Sequence, residues 1–312
     1  MIELFFLGVG ATFPIKGEGM PCIAIRRLGE IFIFDFGENC QLEFFKSGLG
    51  VNKPLHIFIS HMHGDHFLGI APFLQTLSLQ GRKKELTIYG PKELRDHLLN
   101  TINLDTLRFP IKIYEVKEGK IVDDKEYYIE AINALHNIEA FSYIFSEKEK
   151  PGKFDTIKAK KLGIPESPVR KKLKEGIPVK IGSKIIYPKD VLGPPKKGVK
   201  ISYSGDTRYN EKFIEKAYKS DVLIHEATFS IDDEDEAELT GHSTSRDAAI
   251  VAKRSNSRLL LLTHISARYS NKNKLLREAR ELFRRTYIAY KGLKLLIYTD
   301  WKALEILFNS IY

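Results

Sequence analysis

Residues 55–66 are Leu-His-Ile-Phe-Ile-Ser-His-Met-His-Gly-Asp-His, and this stretch decides both the fold and the chemistry. Its first half is an apolar run that predicts a buried strand. Its second half places four potential metal ligands within six residues, namely His61, His63, Asp65 and His66. Loops on a rigid scaffold commonly carry binding groups, so ligands that follow a strand can converge on one centre. Imidazole and carboxylate donors without thiolate suit zinc, and also manganese or iron.

Three further candidate ligands lie at the ends of predicted strands elsewhere in the chain. His136, Asp206 and His264 each follow an apolar run that is typical of a strand. A lone histidine in such a place is usually only a hydrogen-bonded residue. Together with the cluster in residues 61–66, however, three more ligands at three more strand ends predict a site for two metal ions.

Strands and helices alternate along most of the chain, and both halves are rich in strands separated by helices. This pattern predicts an α+β fold in which two similar sheets pack together with helices outside, a four-layer αββα sandwich. A single domain is therefore expected over residues 1–312. Its last helix is predicted to begin at Asp300.

The alternation breaks between about Glu147 and Lys200, where apolar residues are sparse and seven prolines interrupt any long element. Two short helices are predicted there, over 155–162 and 169–174. Segments of this length with little regular structure are usually functional or disordered. Residues 147–197 are therefore predicted to form an inserted arm that protrudes from the core.

The net charge of the chain is concentrated in the same segment. The whole chain has 49 Lys and Arg against 40 Asp and Glu, a formal charge of +9. Residues 146–200 alone hold 16 Lys and Arg against 6 Asp and Glu, or +10, so the remainder is close to neutral. A run of this kind is usually a solvated surface, but it also suits a polyanionic partner.

Length and composition exclude several classes of protein. The hydrophobic share of 43% and the charged share of 29% are ordinary for a globular domain. The sequence contains no apolar run of 18 residues, so no membrane span is predicted. Residues 1–10 predict a first strand rather than a signal peptide. Two cysteines, Cys22 and Cys40, are too few for a disulfide scaffold or a cysteine-rich zinc module. We therefore expect a cytoplasmic protein with no membrane partner.

The order of the candidate ligands resembles that of a known superfamily. The His-x-His-x-Asp-His stretch, followed by His136, Asp206 and His264, is similar to the metal-binding pattern of the metallo-β-lactamase superfamily. Within that superfamily the chain resembles the ribonuclease Z family of tRNA 3′-processing endonucleases. Four stretches carry the narrower resemblance: the loop Gly8–Thr12, His-Glu-Ala-Thr at 225–228, Gly-His-Ser at 241–243, and Pro-Gly-Lys-Phe-Asp at 151–155 with Lys-Lys-Leu-Gly-Ile-Pro at 160–165.

Two stretches depart from the family pattern. The first loop continues as Pro-Ile-Lys-Gly-Glu-Gly-Met over residues 14–20 and lacks the Arg that the family often has there. The second half of the arm motif, residues 166–169, lacks a Gly-Pro pair. Otherwise the resemblance covers nearly the whole chain.

The resemblance implies a division of the ligands between two metal ions. Asp206 would bridge the ions, because two divalent cations about 3.5–4 Å apart need a shared anionic ligand to offset their repulsion. Two zinc ions per subunit are expected, with manganese or iron as alternatives. The first ion would be bound by His61, His63 and His136, and the second by Asp65, His66 and His264.

The resemblance also implies catalytic and substrate-binding roles. Asp65 would orient the attacking water or accept its proton. His242, paired with Glu226, would donate a proton to the leaving ribose oxygen, since a carboxylate favours the charged form of an imidazole. Substrate-binding roles are implied for Arg268, which could hold a phosphate oxygen, and for Lys153 and Phe154 in the arm.

These roles together predict a zinc-dependent endoribonuclease that acts on precursor tRNA. It would cleave off the 3′ trailer, leaving a 3′-hydroxyl on the tRNA and a 5′-phosphate on the trailer. The resemblance further implies a homodimer, in which the arm of one subunit presents tRNA to the catalytic site of the other.

Three alternatives share parts of this pattern. Another phosphodiesterase or a thioester hydrolase of the same fold, such as a glyoxalase-II-like enzyme, would share the ligands but would not need a basic arm. A β-CASP-type nuclease carries a large domain after the bridging Asp, whereas only 57 residues separate Asp206 from His264 in this chain. A catalytically idle RNA-binding module would not need the complete ligand set.

Overall fold

The computed structural model describes residues 1–298 and 304–307, and the chain divides into two compact units. The larger one, which we call the core unit, comprises residues 1–123, 128–146 and the described residues from Val199 onward. The smaller one, which we call the arm unit, comprises residues 124–127 and 147–198. Within the described part of the chain, no helix is both long enough and apolar enough to cross a membrane.

The core unit is built on two β-sheets, each described by its strands in spatial order. The first sheet consists of β17 (Leu304–Leu307), β16 (Lys294–Ile297), β1 (Ile2–Gly8), β2 (Cys22–Arg27), β3 (Glu30–Phe34), β4 (Leu55–Phe58), β5 (Leu86–Gly90) and β6 (Ile111–Glu115). The second sheet consists of β15 (Thr286–Ile288), β14 (Leu260–Thr263), β13 (Val222–Glu226), β12 (Lys200–Tyr203), β9 (Phe141–Glu147), β8 (Tyr127–Asn133) and β7 (Gly119–Asp123).

Helices connect these strands. Those of the core unit are α1 (Cys40–Lys46), α2 (Gly64–Phe67), α3 (Ile70–Leu79), α4 (Glu93–Thr101), α8 (Glu211–Lys216), α9 (Glu234–Thr240), α10 (Ser245–Arg254) and α11 (Asn273–Leu282), with 3₁₀ turns at Leu104–Thr106 and Ile231–Asp233. Those of the arm unit are α5 (Thr156–Lys161), α6 (Pro168–Lys174) and α7 (Pro188–Val191), together with the strands β10 (Val179–Ile181) and β11 (Lys184–Ile186).

The parallel part of the first sheet shows why its strands align as they do. A single row of isoleucines crosses four strands, because Ile33 pairs with Ile57, Ile57 with Ile88, and Ile88 with Ile113. Side chains alternate between the two faces of a strand, so this row lies on one face of the sheet. A shift of one residue would move the whole apolar row to the other face, and the register is therefore strongly specified.

Aromatic side chains on the inner faces join the two sheets. The ring of Phe32 in β3 lies 5.2 Å from that of Phe145 in β9. Phe34 lies 5.8 Å from Tyr143 and 6.0 Å from Tyr203, both of which are in the second sheet. Tilted rings at these centroid distances are favourable arrangements. The sheets therefore pack face to face through a layer of aromatic residues.

The outer faces of the sheets are covered by helices. The isoleucine row belongs to a buried cluster that includes Phe44 of α1 and Phe73 of α3. On the second sheet, Leu262 belongs to a separate buried cluster with Phe213 of α8 and with alanines of α10. The order helix, sheet, sheet, helix confirms the predicted four-layer αββα sandwich.

The arm unit has a small hydrophobic cluster of its own. Its two predicted helices are present as α5 and α6, whereas the sequence interpretation missed the hairpin of β10 and β11. Gly182, whose φ is +58°, forms the turn of this hairpin. The three-residue strands are too short to give a periodic signal among the prolines. The cluster that holds the unit together consists of Ala159, Ile164, Leu173, Val179, Ile186 and Val191.

The two ends of the arm unit run side by side. Lys150 and Lys196 exchange backbone hydrogen bonds of 2.9 and 2.8 Å. Next to them Gly152 approaches Gly193 so closely that a Cβ atom at position 152 would lie 2.0 Å from the Gly193 carbonyl oxygen. The Pro-Gly-Lys-Phe stretch thus contains a glycine that the backbone contact requires.

The C-terminal end differs from the sequence expectation. The predicted helix that begins at Asp300 lies largely outside the described residues. Leu304–Leu307, however, form β17, which pairs antiparallel with β16. A strand forms here because β16 offers backbone donors and acceptors along its free edge, which local helical propensity cannot indicate.

Candidate metal centre

The candidate ligands come from both sheets, and most of them lie where a strand has just ended. His61 and His63 follow β4, and His136 follows β8. The remaining four lie on or beside other elements. Asp65 and His66 are in the short helix α2, Asp206 follows β12, and His264 follows β14.

His264 adopts a backbone conformation that is unusual for a residue with a side chain. Its φ is +53°, in the left-handed region that few non-glycine residues occupy. Its backbone N–H donates to the carbonyl oxygen of Val9 over 2.9 Å. The turn at the end of β14 is thereby fixed to the loop after β1, and strain of this kind is typical of functional sites.

Three imidazoles and one carboxylate form the first group of donors. The Nδ1 atom of His63 lies 3.0 Å from the Nε2 of His61 and 3.2 Å from the Nε2 of His136. The Nε2 of His61 lies 3.6 Å from the Oδ2 of Asp206. The four donor atoms lie within 4.8 Å of one another, which is close enough for one ion to be bound by all of them.

A second group of donors adjoins the first through Asp206. Asp65, His66 and His264 each offer one atom within 4.8 Å of the others. The Oδ2 of Asp206 lies 3.2 Å from the Nε2 of His66 and 3.3 Å from the Nε2 of His264. The structure therefore brings all seven predicted ligands together and places the Asp206 carboxylate between the two groups.

The hydrogen bonding of Asp206 shows that these residues fit a cation. The residue is 3% exposed, and its Oδ1 has no hydrogen-bond partner among the described residues. A buried carboxylate oxygen without a donor is costly unless a positive charge compensates it. Five imidazoles and two carboxylates are a donor set that suits zinc, manganese or iron.

Acceptors behind the histidines fix the direction in which their ring nitrogens point. The Nδ1 of His136 donates to the carbonyl oxygen of Gly241 over 2.7 Å. A carbonyl oxygen can only accept, so the Nδ1 of His136 carries the proton and its Nε2 keeps a lone pair. That Nε2 points into the first donor group, as a metal ligand requires.

Asp35 performs the same task for His66, and the sequence interpretation missed it. Its Oδ2 accepts from the Nδ1 of His66 over 2.7 Å and from the hydroxyl of Tyr203 over 2.6 Å. Its Oδ1 accepts from the backbone N–H of Ser60 over 2.7 Å. The sequence feature that could have indicated Asp35 is its place as a single acid between Phe34 and Phe36, in a run that is otherwise fully apolar.

Glu226 and His242 form a buried pair beside the ligands. The Oε1 of Glu226 accepts from the Nδ1 of His242 over 3.0 Å and from the backbone N–H of Thr207 over 2.8 Å. Its Oε2 accepts from the Thr228 hydroxyl over 2.7 Å and from the Ser243 backbone N–H over 3.1 Å. With the backbone N–H of Thr228, which donates to Oε2 over 3.3 Å, five donors fix the orientation of the carboxylate and, with it, the ring of His242.

The electrostatics of this pair favour a charged imidazole. Burial works against protonation of His242, but the adjacent Glu226 carboxylate outweighs it and raises the pKa of His242 to about 9. Burial likewise works against ionisation of Glu226, and the charge of His242 outweighs it and lowers the pKa of Glu226. His242 also lies within 4.8 Å of donor atoms from Asp206 and His264.

The predicted substrate-binding residues differ in their surroundings. Both terminal nitrogens of Arg268 donate to the carboxylate of Glu236, each over 2.6 Å, and its guanidinium lies 4.8 Å from the ring centre of Phe229. In the arm unit Lys153 is exposed, whereas Phe154 is partly buried against the hydrophobic cluster. The bidentate fork of Arg268 thus already has a partner.

A cavity of about 680 Å³ opens over the two donor groups. Asp65 and Asp206 belong to the least exposed part of its lining, which we call the floor, and His242 also lines it. Phe13 and Leu68 also line the cavity, and we call this exposed apolar part of its lining the rim. The volume is within the range of small-molecule sites and is large enough for a nucleotide.

The αββα fold and the cluster of seven candidate ligands are those of a metal-dependent hydrolase of the metallo-β-lactamase class. Human tRNase Z, short form, superposes with a TM-score of 0.68 at 26% identity, over 95% of this chain and 99% of that one. The metallo-β-lactamase fold protein YhfI from Bacillus subtilis superposes with the same TM-score at 19% identity, over 94% of this chain and 98% of that one. A family model described as anti-Pycsar protein Apyc1 matches residues 2–146.

The chain belongs to the ribonuclease Z family, whose members are endoribonucleases that hydrolyse phosphodiesters. Ribonuclease Z of Nitrosopumilus maritimus is 43% identical over 90% of this chain and 95% of that protein. The enzyme of Methanocaldococcus jannaschii is 42% identical over 98% of both chains. That of Bacillus velezensis is 38% identical over 93% of this chain and 97% of that protein.

Removing the carboxylate of Asp206 should reduce metal binding. In Asp206→Ala the two donor groups lose the carboxylate that lies between them, so the metal content by elemental analysis should fall clearly below about two ions per chain. Glu236→Ala is the matched control, since Glu236 lines the same cavity but belongs to neither donor group. Full metal occupancy in Asp206→Ala would rule out a bridging role for this residue.

Proposed function

We propose that this protein is a zinc-dependent endoribonuclease that removes the 3′ trailer from precursor tRNA. The products would be a tRNA with a 3′-hydroxyl and a trailer with a 5′-phosphate. The observation that carries the proposal is the Glu226–His242 pair, which lies beside the seven metal-ligand candidates at the lining of one cavity. The human relative is named for tRNA.

The residues present would hold two metal ions in the division that the resemblance implies. His61, His63 and His136 would bind one ion, and Asp206 would lie between the two. The second ion would be bound by Asp65, His66 and His264. When bound, such ions make water a better nucleophile at neutral pH and offset the charge that develops at phosphorus.

Asp65 is proposed to hold the attacking water and take its proton. Its Oδ2 accepts from the backbone N–H of Thr12 over 2.9 Å and lies 3.4 Å from the Nε2 of His264. The carboxylate is thus held on two sides while it faces the cavity.

His242 is proposed to donate the proton that the leaving group needs. Attack of water on phosphorus breaks the bond to the ribose 3′-oxygen, which leaves as an alkoxide unless it is protonated. The Nδ1 of His242 is occupied by Glu226, so the proton on Nε2 is the one that can be transferred. With a pKa of about 9, His242 carries that proton at neutral pH.

The basic segment of the arm unit is proposed to bind the tRNA. Residues 146–200 carry a net charge of +10, and twelve of their sixteen lysines and arginines are exposed. Contacts of this kind neutralise phosphates and recognise the shape and backbone of an RNA rather than its bases. Lys153 and Arg268 are proposed as phosphate contacts, although Arg268 would have to exchange Glu236 for a phosphate oxygen.

The proposed function is tested by cleavage of a precursor tRNA with both product ends mapped. We expect a single cut after the mature 3′ region, a 3′-hydroxyl on the tRNA and a 5′-phosphate on the trailer. Thioester substrates should not be hydrolysed. Hydrolysis of a thioester or of a small phosphodiester without any cleavage of precursor tRNA would instead indicate one of the other enzymes of this fold.

A homodimer in the cytoplasm is also proposed, from the resemblance to ribonuclease Z. Cys22 and Cys40 are both free and buried, which is compatible with a reducing compartment. Light scattering at micromolar concentration should give twice the chain mass of 35.7 kDa. A monomer under these conditions would overturn the dimer and require the arm and the catalytic site of one chain to act on the same tRNA.

The role of His242 predicts a selective loss of turnover. His242→Ala should retain metal content and tRNA binding, while the cleavage rate falls by roughly 10²–10⁴, the range for losing a general acid. The defect should shrink when the leaving group is a p-nitrophenolate, because this group departs without a proton. An equal defect with both leaving groups would exclude His242 as the acid.

The arm should be separable from the catalytic site. We expect the core unit to stay folded when a short Gly/Ser linker replaces residues 147–197, since a Cβ atom at Gly198 would lie 2.3 Å from the carbonyl oxygen of Glu147 and the ends therefore already meet. Hydrolysis of bis(p-nitrophenyl) phosphate should persist, whereas cleavage of precursor tRNA should collapse through weaker binding.

Two results would contradict this division of labour. If the linker variant kept its metals but no longer hydrolysed the small ester, the arm would be part of the catalytic site. If the variant cleaved precursor tRNA as well as the wild type does, the basic segment would be an ordinary solvated surface.

The linker variant should also show a weaker salt dependence of tRNA binding. The log–log slope should fall by about 0.7–0.9 for each phosphate that the arm no longer neutralises.

A further inference from the structure

Phe13 is an aromatic residue that the packing of the core unit does not explain. Its side chain is 54% exposed, and it belongs to none of the described hydrophobic clusters. Exposure of a large apolar ring to water is unfavourable. The ring lies on the rim of the same cavity that has Asp65 and Asp206 on its floor.

The backbone holds Phe13 in a fixed position. Thr12 has a φ of +62°, and the N–H of Phe13 donates to the carbonyl oxygen of Ala11 over 2.6 Å, which makes a tight turn. The N–H of Thr12 donates to the Oδ2 of Asp65 over 2.9 Å. Because Pro14 follows, the backbone of Phe13 is restricted further. The loop therefore positions an exposed ring relative to a metal-ligand candidate.

The base of this loop is fixed as well. The N–H of Val9 donates to the carbonyl oxygen of Glu18 over 3.2 Å, and that of Gly10 donates to the carbonyl oxygen of Gly19 over 2.8 Å. The Glu18 carboxylate forms an ion pair with Lys272 of the segment before α11. Because the backbone that carries the ring is already fixed, a flat partner can bind without first ordering the loop, which lowers the entropic cost of binding.

We propose that Phe13 stacks on an unpaired base next to the scissile phosphodiester. This inference rests on the proposed function, in which a phosphodiester lies between Asp65 and His242. Each base is only one sugar away from its phosphate, so a flanking base would reach the rim of the cavity. Aromatic side chains are the usual platforms for single-stranded bases, and stacking needs no particular base.

The chemistry of the rim favours a base over an aliphatic or peptide partner. Phe229 also lines the cavity but is buried and lies against Arg268, whereas the exposed ring of Phe13 offers a flat apolar face. Beside a strongly polar floor, that face matches a nucleobase whose phosphate is bound below. Leu68, also on the rim, is 50% exposed and adds apolar surface without a π-face. Phe13 thus has a role in holding the substrate that no metal ligand can supply.

The experiment compares four proteins on one precursor tRNA: wild type, Phe13→Tyr, Phe13→Leu and Phe13→Ala. Phe13→Tyr should stay near the wild type, because it keeps the ring. Phe13→Ala and Phe13→Leu should both lower kcat/KM by about 5- to 100-fold, the loss expected from one stacked base. Leu79→Ala is the matched control, since Leu79 is 78% exposed and lies at the end of α3, outside the cavity.

Substrates with an abasic site show which flanking base stacks on Phe13. Each of the two nucleotides that flank the scissile bond is made abasic in turn, and the Phe13→Ala effect is measured again. At the position that stacks on Phe13, the variant and the wild type should cleave at equal rates, because the partner of the ring is already gone. Metal content and melting temperature of the variants should match the wild type.

Several outcomes would overturn the inference. If the Phe13→Leu variant were as active as Phe13→Tyr, only the apolar bulk of the side chain would be needed. A Phe13→Ala effect that persists with both abasic substrates, or no effect at all, would show that the ring does not contact a flanking base. Wild-type protein that fails to cleave precursor tRNA would instead refute the proposed function, which separates the two failures.

Discussion

A carboxylate buried as completely as that of Asp206 is stable only when donors or cations surround it. In this protein its Oδ2 lies between imidazoles from the ends of β4 and β14, while its Oδ1 has no protein partner in the described part of the chain. The two sheets must therefore meet in one register for the ligands to converge. The aromatic layer formed by Phe32, Phe34 and their partners holds the sheets in that register.

Carboxylates and carbonyls behind the ligands make the arrangement specific. Asp35 directs His66, the Gly241 carbonyl directs His136, and Glu226 directs His242. Each of these acceptors is buried and leaves the opposite ring nitrogen free to act. Replacing a residue that orients a metal ligand commonly changes the metal affinity as strongly as replacing some of the ligands does. Two of these three acceptors, Glu226 and Gly241, lie in the motifs that carry the family resemblance.

The sequence predicted the layers, and it located the candidate ligands that the structure brings together, because both depend on local patterns. His61 to His66 stand in one short stretch, and apolar runs mark the strands that carry the rest. Asp35 was missed because a hydrogen bond to His66, 31 residues away, leaves no periodic trace. The β10–β11 hairpin was missed because strands of three residues give no readable alternation, and β17 because edge pairing is a tertiary effect.

We propose that one buried carboxylate, that of Asp206, joins two metal ions. Electron paramagnetic resonance of the protein loaded with Mn²⁺ tests it most directly, because the signal depends on the distance between the ions. Ions that share Asp206 should be exchange-coupled, so a protein with about two equivalents should give the broad spectrum of a coupled pair. A spectrum of isolated Mn²⁺ ions at the same loading, or saturation at one equivalent, would contradict the account.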